Sequence, residues 1–381
     1  MADQPLDRAL LPAGLADGLP PFAEQEARAI ERLTAEFAAE GYQRVKPPLV
    51  EFEDSLLTGP GAALAPQMFR LMDPVSQRMM GVRADFTPQI ARIAWSRLGN
   101  APRPLRLCYA GQVLRVRGGQ VRPERQFAQV GLELIGAEAM AADLEVLLLA
   151  AGALGAVGIA GLSVDLVQPT LVPAICRGHG LTVEATAEAR AALDQKDGGR
   201  LARIGGRAGD VLRTLLEAAG PADRARATLA KLDLPAEATS DRDRLVRMIE
   251  LTRSAAPDLA LTVDPGEYRG FEYETGIAFA FFAKGLAAEL GRGGRYRLAG
   301  GETATGATLY MDSVLKALPA PAAARCVYLP AGTPRRQAVE LRRQGWRTVA
   351  GFEPGDAAAE ARRLGCSHVW DGSAAREVGH G

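Results

Sequence analysis

Between Tyr109 and Gly136 the sequence reads YAGQVLRVRGGQVRPERQFAQVGLELIG. An apolar run enters a loop carrying Arg115, Arg117, Arg122 and Arg125 with Gly118 and Gly119, and a second run follows in which polar and apolar residues alternate. Arginines in such a loop suit a phosphorylated ligand, because the guanidinium fork pairs with phosphate oxygens and glycine lets the backbone come close. The solvated tip of a hairpin has the same composition. Gln129 and Glu133 are four apart in an extended run, so they project from one sheet face together with Phe127 and Gly131. If that face is buried, the carboxylate and the amide need partners; on a solvent-facing strand edge they need none.

Two further stretches carry polar groups in suggestive places. In RADFTPQIARIAWSRL, Thr87 is a good N-cap and Pro88 suits the first helical position. Asp85 and Thr87 thus precede a helix N-terminus, where they can hold a polar ligand or simply cap the helix. In RGFEYETG, Arg269 is followed by Glu272, Tyr273 and Glu274, backed by the glycine-rich GRGGRY. Such glycines serve a close approach to a ligand or a tight hairpin equally well.

The elements that must position these groups are legible from periodicity. PFAEQEARAIERLTAEFAAEGY places Phe22, Ile30, Leu33 and Phe37 at helical spacing, with Gly41 as a stop. YQRVKPPLVEF reads as a strand that Pro47 and Pro48 confine to an edge or interface, and MFRLMD with RMMGVR reads as a hairpin. An Ala/Leu-rich buried helix spans roughly 138–156, LSVDLVQ is a strand, and 169–258 alternates helical patterns with Gly breaks. Strands return with FEYETGIAFAFFAKG and LAAELGRGGRYRL, and ATGATLYMDSVLKAL is a strand entering a helix. RCVYLPAG, RRQAVELRRQGW, RTVAGF, DAAAEARRLG and SHVWDG then give strand–helix–strand–helix–strand, a small α/β unit.

With 381 residues, two or three domains are expected. The 45 basic and 45 acidic residues balance, so no overall field draws the chain to nucleic acid or to an anionic membrane. Cys108, Cys176, Cys326 and Cys366 lie far apart in apolar neighbourhoods and read as buried core thiols of a reducing, cytoplasmic protein. His179, His368 and His380 lack ligand-like spacing, so no metal site is expected. The N-terminus lacks the pattern of a secretory signal, and the richest apolar run, 144–151, is too short to span a bilayer.

The co-linear order of RADFTP, the 109–136 hairpin, the helical stretch, RGFEYETG with GGRY, and ATGATLYMDSVL resembles the catalytic fold of class II aminoacyl-tRNA synthetases, specifically the histidyl enzymes, over roughly 21–318. The resemblance implies an α+β fold: a six- to seven-stranded antiparallel sheet flanked by helices (1–168 and 259–318), an inserted helical subdomain (169–258) and a small C-terminal α/β domain (322–381). It also implies a dimer built on the first long helix and the PP strand. Asp85, Thr87, Gln129 and Glu133 match the family's amino-acid contacts. Arg269 matches its histidyl-specific arginine, and Tyr273 the first of its two pocket tyrosines; the second is Glu274 here. On the ATP side, Arg115 matches the arginine that meets the α-phosphate, but the terminal Glu-Arg pair is replaced by Asp312 and Ser313, and a hydroxyl cannot replace a planar cation in such a clamp.

A chain with a retained amino-acid side, a broken ATP side and a tail too short for a full anticodon domain is similar to the regulatory subunits of the two-protein ATP phosphoribosyltransferase of histidine biosynthesis. That resemblance implies no catalysis and no cofactor. It implies assembly with a short-form catalytic subunit into a hetero-octamer, and an effector site for histidine formed by Asp85, Thr87, Gln129, Glu133, Arg269 and Tyr273, with Arg115 and Ser313 as the remnant of an ATP site. The alternatives are an atypical histidyl-tRNA synthetase and a non-catalytic tRNA-binding module, against which the neutral charge and short tail argue.

Overall fold

A computed structural model of the chain describes residues 10–267, 274–321 and 325–379, and its first helix follows the Pro/Gly-rich leader. This helix, α1 (Phe22–Ala39), buries Leu33 and Phe37 completely, while Phe22 is 60% exposed, so the apolar stripe starts later than the spacing suggested. Gly41, at φ +85°, ends it in the left-handed conformation glycine favours. YQRVKPPLVEF forms two strands, β1 (Gln43–Arg44) and β2 (Val50–Phe52), in different sheets. The prolines between them have no N–H to give to a ladder.

After α2 (Glu53–Leu56), the expected hairpin forms from β3 (Arg70–Met72) and β4 (Met79–Val82) and joins β2 in a small sheet of order β2-β4-β3. Asp73 shapes its turn by accepting the N–H groups of Val75 and Ser76. Next come α3 (Thr87–Ser96), β5 (Leu105–Leu114), β6 (Gln126–Ile135), α4 (Met140–Ala156) and β7 (Leu162–Val167). Residues 169–258 hold α5 (Leu171–Gly178), α6 (Val183–Asp194), α7 (Gly198–Ile204), α8 (Gly206–Ala218), the short β8 (Gly220–Pro221), α9 (Ala222–Leu229) and α10 (Ala236–Ala255). β9 (Ala260–Val263), β10 (Glu274–Ala283), β11 (Gly291–Arg297), β12 (Thr303–Tyr310) and α11 (Met311–Ala317) complete the first of two compact units, Met1–Pro319.

The large sheet has the order β1-β5-β6-β12-β11-β10-β7-β9-β8. Its six central strands, β5 to β7 in that order, are antiparallel, whereas β1 pairs with β5 and β9 with β7 in parallel. The fold is α+β as expected, with a sheet of nine strands that is mixed at its flanks rather than the six or seven antiparallel strands anticipated. One face carries Leu132, Leu134, Phe279 and Phe281 against Leu33 and Phe37 of α1 and Val146, Leu147 and Leu154 of α4. The period-2 alternation of β6 leaves Gln129 and Glu133 for the other face.

The second unit, Ala320–Gly381, holds β13 (Cys326–Leu329), α12 (Arg335–Arg343), β14 (Arg347–Ala350), α13 (Ala357–Arg363), β15 (His368–Trp370) and β16 (Ala375–Glu377). β14, β13 and β15 are parallel, and β16 adds an antiparallel edge that the periodicity did not announce. All four cysteines are buried and unbonded, with the Cys326 and Cys366 sulfurs 3.0 Å apart. Among the described residues no helix is long and apolar enough to cross a membrane.

Candidate amino-acid pocket and adjoining cleft

Strand β6 lies between β5 and β12, with Gly111 and Tyr310 opposite Gln129 and Leu107 and Gly306 opposite Glu133. A methyl group on Gly306 would overlap the Glu133 carboxylate, and one on Gly131 would overlap the Tyr109 hydroxyl. Glycines at these positions therefore make room for polar side chains on a sheet floor. Gly306→Ala is expected to push Glu133 out of place and cost about 1–3 kcal/mol, read as a lowered midpoint in thermal unfolding.

Gln129 and Glu133 are both fully buried, which excludes the solvent-facing edge for them. Glu133 Oε1 accepts the Thr87 hydroxyl at 3.0 Å and Oε2 accepts the Tyr296 hydroxyl at 2.9 Å. Gln129 Nε2 donates to Asp85 Oδ2 at 2.7 Å, while its Oε1 accepts the Phe86 N–H at 3.2 Å. Thr87 is not the cap: it is already the first residue of α3, and the carboxylate of Asp85 accepts its N–H at 3.0 Å. Its hydroxyl is thereby free to turn into the sheet. Burial pushes the Glu133 carboxyl up to about 8, only partly offset by the hydrogen bonds from Tyr296 and Thr87, and the nearby Asp85 charge raises it further.

Asp85, Thr87, Gln129 and Glu133 are thus brought into one hydrogen-bonded cage. Arg269 and Tyr273 lie outside the described residues. Asp85, Thr87, Glu133, Glu274, Arg292 and Tyr296 line a narrow cavity of about 40 Å³. Strand alternation puts Arg292, Gly294 and Tyr296 on the pocket face of β11. Tyr296 belonged to the GGRY stretch, and its alternation with Gly294 was the signal that could have assigned it to the pocket.

A larger cleft of about 540 Å³ adjoins it, and Arg292 lines both. Arg115, Arg117, Arg122, Phe127 and Glu289 also line the cleft. Arg115 Nε donates to the Ala84 carbonyl at 3.2 Å, and its Nη2 stands 3.7 Å from Asp85 Oδ2, which ties the cleft to the cage. Ser313 does not line the cleft; it is fully buried in α11, and its hydroxyl has no hydrogen-bond partner among the described residues. Its neighbour Asp312 instead binds Arg122 through two bonds of 2.9 and 3.1 Å. Both residues stood out in the sequence, Arg122 as a loop arginine and Asp312 in the altered terminal pair, but their pairing across 190 residues did not.

The arrangement offers carboxylate and amide acceptors for an ammonium group beside an arginine-lined cleft. The histidyl-tRNA synthetase family model matches residues 14–314. The ATP phosphoribosyltransferase regulatory subunit of Rhodospirillum centenum is 57% identical over 382 residues, covering 99% of each chain. Two solved structures share the fold. One is an ATP phosphoribosyltransferase regulatory subunit/histidyl-tRNA synthetase from Bacillus halodurans, with a TM-score of 0.81 at 23% identity over 97% of this chain and 99% of the other. The second is a chain of the ATP phosphoribosyl transferase (HisG:HisZ) complex of Thermotoga maritima, with a TM-score of 0.60 at 16% identity over 75% of this chain and 97% of the other. Matched to such relatives along nearly its whole length, the chain belongs to the ATP phosphoribosyltransferase regulatory subunit family, which is built on the histidyl-tRNA synthetase fold.

Proposed function

We propose that this protein is a non-catalytic subunit that a short-form ATP phosphoribosyltransferase of the cytoplasm requires for the first step of histidine biosynthesis, and that histidine acts on the enzyme through it. The observation that carries the effector part of this reading is the buried cage around Glu133. Asp85 and Thr87 at the start of α3 form a hydrogen-bonded network with Gln129 and Glu133 of the sheet floor, and Asp85, Thr87 and Glu133 line a cavity, which suits recognition of an amino acid's ammonium group. Asp85, Thr87, Gln129 and Glu133 are the contacts, completed by Arg269 and Tyr273; Glu274 faces the same cavity and suits an imidazole N–H. Assembly is with the catalytic subunit as a hetero-octamer, with a dimer of this chain built on α1 and the segment around Pro47 and Pro48. Feedback then follows from linkage: histidine shifts the assembly toward its inhibited state by as much as its affinities for the two states differ, and about 1–3 kcal/mol suffices.

The test is co-purification with a short-form catalytic subunit, followed by phosphoribosyltransferase assays with and without histidine. Association, dependence of activity on this chain, and inhibition by histidine that Glu133→Ala abolishes are expected. Failure to associate removes the reading, and inhibition that survives Glu133→Ala moves the effector site elsewhere. Against the synthetase alternative, histidine-dependent ATP–pyrophosphate exchange by the isolated chain is expected to be undetectable.

A further inference from the structure

The second unit holds a pair of groups that the regulatory reading does not use. Cys326 opens β13, the strand between β14 and β15, and Cys366 stands two residues before β15. Parallel pairing sets Val327 opposite His368 and Tyr328 opposite Val369, which brings both cysteines to the same end of the two strands. Their backbones are fixed there. The Cys326 N–H donates to Ser367 Oγ at 3.4 Å, the Ser367 hydroxyl donates to the Cys326 carbonyl at 3.1 Å, and the Cys366 N–H donates to the Ala361 carbonyl at 2.8 Å as the chain leaves α13. The two sulfurs, 3.0 Å apart, share a small apolar cluster with Tyr328, Ala361 and Val378.

A single buried thiol is ordinary packing, because it serves as a small apolar side chain. Two sulfurs in contact on fixed backbones are more than packing requires, and a small rotation of either side chain brings them within bonding distance. Cys326 and Cys366 are only 6% and 4% exposed, and burial together with the neighbouring Cys326 pushes the Cys366 thiol up to about 12, opposed by the charge of Arg347. Oxidation of the pair is therefore slow and suits a small peroxide rather than a bulky disulfide reagent. We propose that Cys326 and Cys366 are a modification site, which hydrogen peroxide converts to an intramolecular disulfide that staples β13 to the entry of β15. In the first step one sulfur attacks a peroxide oxygen: an S–O bond forms as the O–O bond breaks, and the thiol proton leaves with the departing hydroxide as water. The second sulfur then displaces the hydroxyl of that sulfenic acid, forming the S–S bond and releasing another water with its own proton. The two thiols together give up two electrons, and one peroxide is reduced to two waters. The proposal does not depend on the cage, on histidine or on a catalytic subunit.

The experiment uses the full chain, fully reduced, moved into thiol-free buffer and treated with millimolar hydrogen peroxide. Free thiols are counted after denaturation, and peptides are mapped by mass spectrometry without reduction. Of the four cysteines, Cys326 and Cys366 should be lost together as one linked pair of peptides, dithiothreitol should restore both, and Cys108 and Cys176 should remain thiols. Backbone amide exchange in β13 and β15 should slow on the order of 10- to 100-fold on oxidation, because the link closes a long loop in the unfolded chain. Peroxide-treated Cys326→Ser should show no such slowing, and Cys366→Ser serves the same purpose should the first variant not fold. All four thiols surviving the peroxide, conversion of Cys326 and Cys366 to unlinked sulfinic acids, equal loss of Cys108 and Cys176, or links between chains would overturn the proposal. A linked pair that leaves amide exchange in the two strands unchanged overturns it as well.

Discussion

Asp143→Ala is expected to destabilise the first unit by about 3–5 kcal/mol, the range for removing one partner of a buried ion pair. Asp143, on α4, accepts three hydrogen bonds from Arg295 of β11, at 2.9, 3.0 and 2.9 Å, and a fourth from the Thr305 hydroxyl of β12 at 2.5 Å. The Arg295 and Asp143 side chains are 10% and 2% exposed, and Arg295 also donates to the Ala137 and Ala139 carbonyls. Deleting the carboxylate leaves a mostly buried guanidinium whose remaining partners among the described residues are the Ala137 and Ala139 carbonyls. Burial already raises the Asp143 carboxyl, against the opposing pull of the Arg295 and Thr305 hydrogen bonds, so the pair is costly even when intact. It follows that the double variant Asp143→Leu with Arg295→Met should recover most of the loss. Urea unfolding of the two single variants and the double variant measures this; a single variant within about 1 kcal/mol of native would show that water reaches the pair.

That pair marks where sequence reading stops. α4 read as a buried helix because its composition is Ala/Leu-rich, and nothing local distinguished Asp143 from a surface acid. Arg295 was one residue of a glycine cluster. Their meeting depends on the order of β6, β12 and β11 in the sheet, which period-2 patterning does not encode. What alternation did encode came through: Gln129 and Glu133 share a face because their separation is even, and burial of that face then follows from Phe86, just before α3, and Ile90 and Ala94 of α3 packing on the same side of the sheet as Phe127 and Tyr296. Thr87 shows the intermediate case. Its type and place before Pro88 signalled a helix start, but Phe86 is the N-cap and Asp85 accepts the Thr87 N–H, and only the folded sheet shows that the hydroxyl reaches Glu133. Arg122 and Asp312 were each noticed in the sequence, but their pairing was as hidden as that of Asp143 and Arg295, because the contact is long-range.

Histidine is expected to bind more tightly as pH rises, by roughly 50-fold between pH 6 and pH 8, if its ammonium group requires an ionised Glu133. In the empty cage, burial holds the Glu133 proton up to about 8, so near neutrality the carboxyl is mostly neutral, and binding must first release that proton. The stability of the empty protein runs the other way. The unfolded chain loses this proton near 4.5 and the folded chain near 8, so across that window the folded state holds more protons and stability falls as pH rises, by a few kcal/mol at most. A bound ammonium group offsets that loss, which makes the ligand-induced rise in unfolding temperature larger at pH 8 than at pH 6. Calorimetry in two buffers of different ionisation enthalpy should report close to one proton released per histidine at pH 6 to 7. Glu133→Gln cannot ionise, so its residual affinity should be weak and lack the steep rise between pH 6 and 8. Binding that is independent of pH and releases no proton would mean that the ammonium group is held by Asp85 and Gln129 alone, and Glu133 would then be a structural element of the sheet floor.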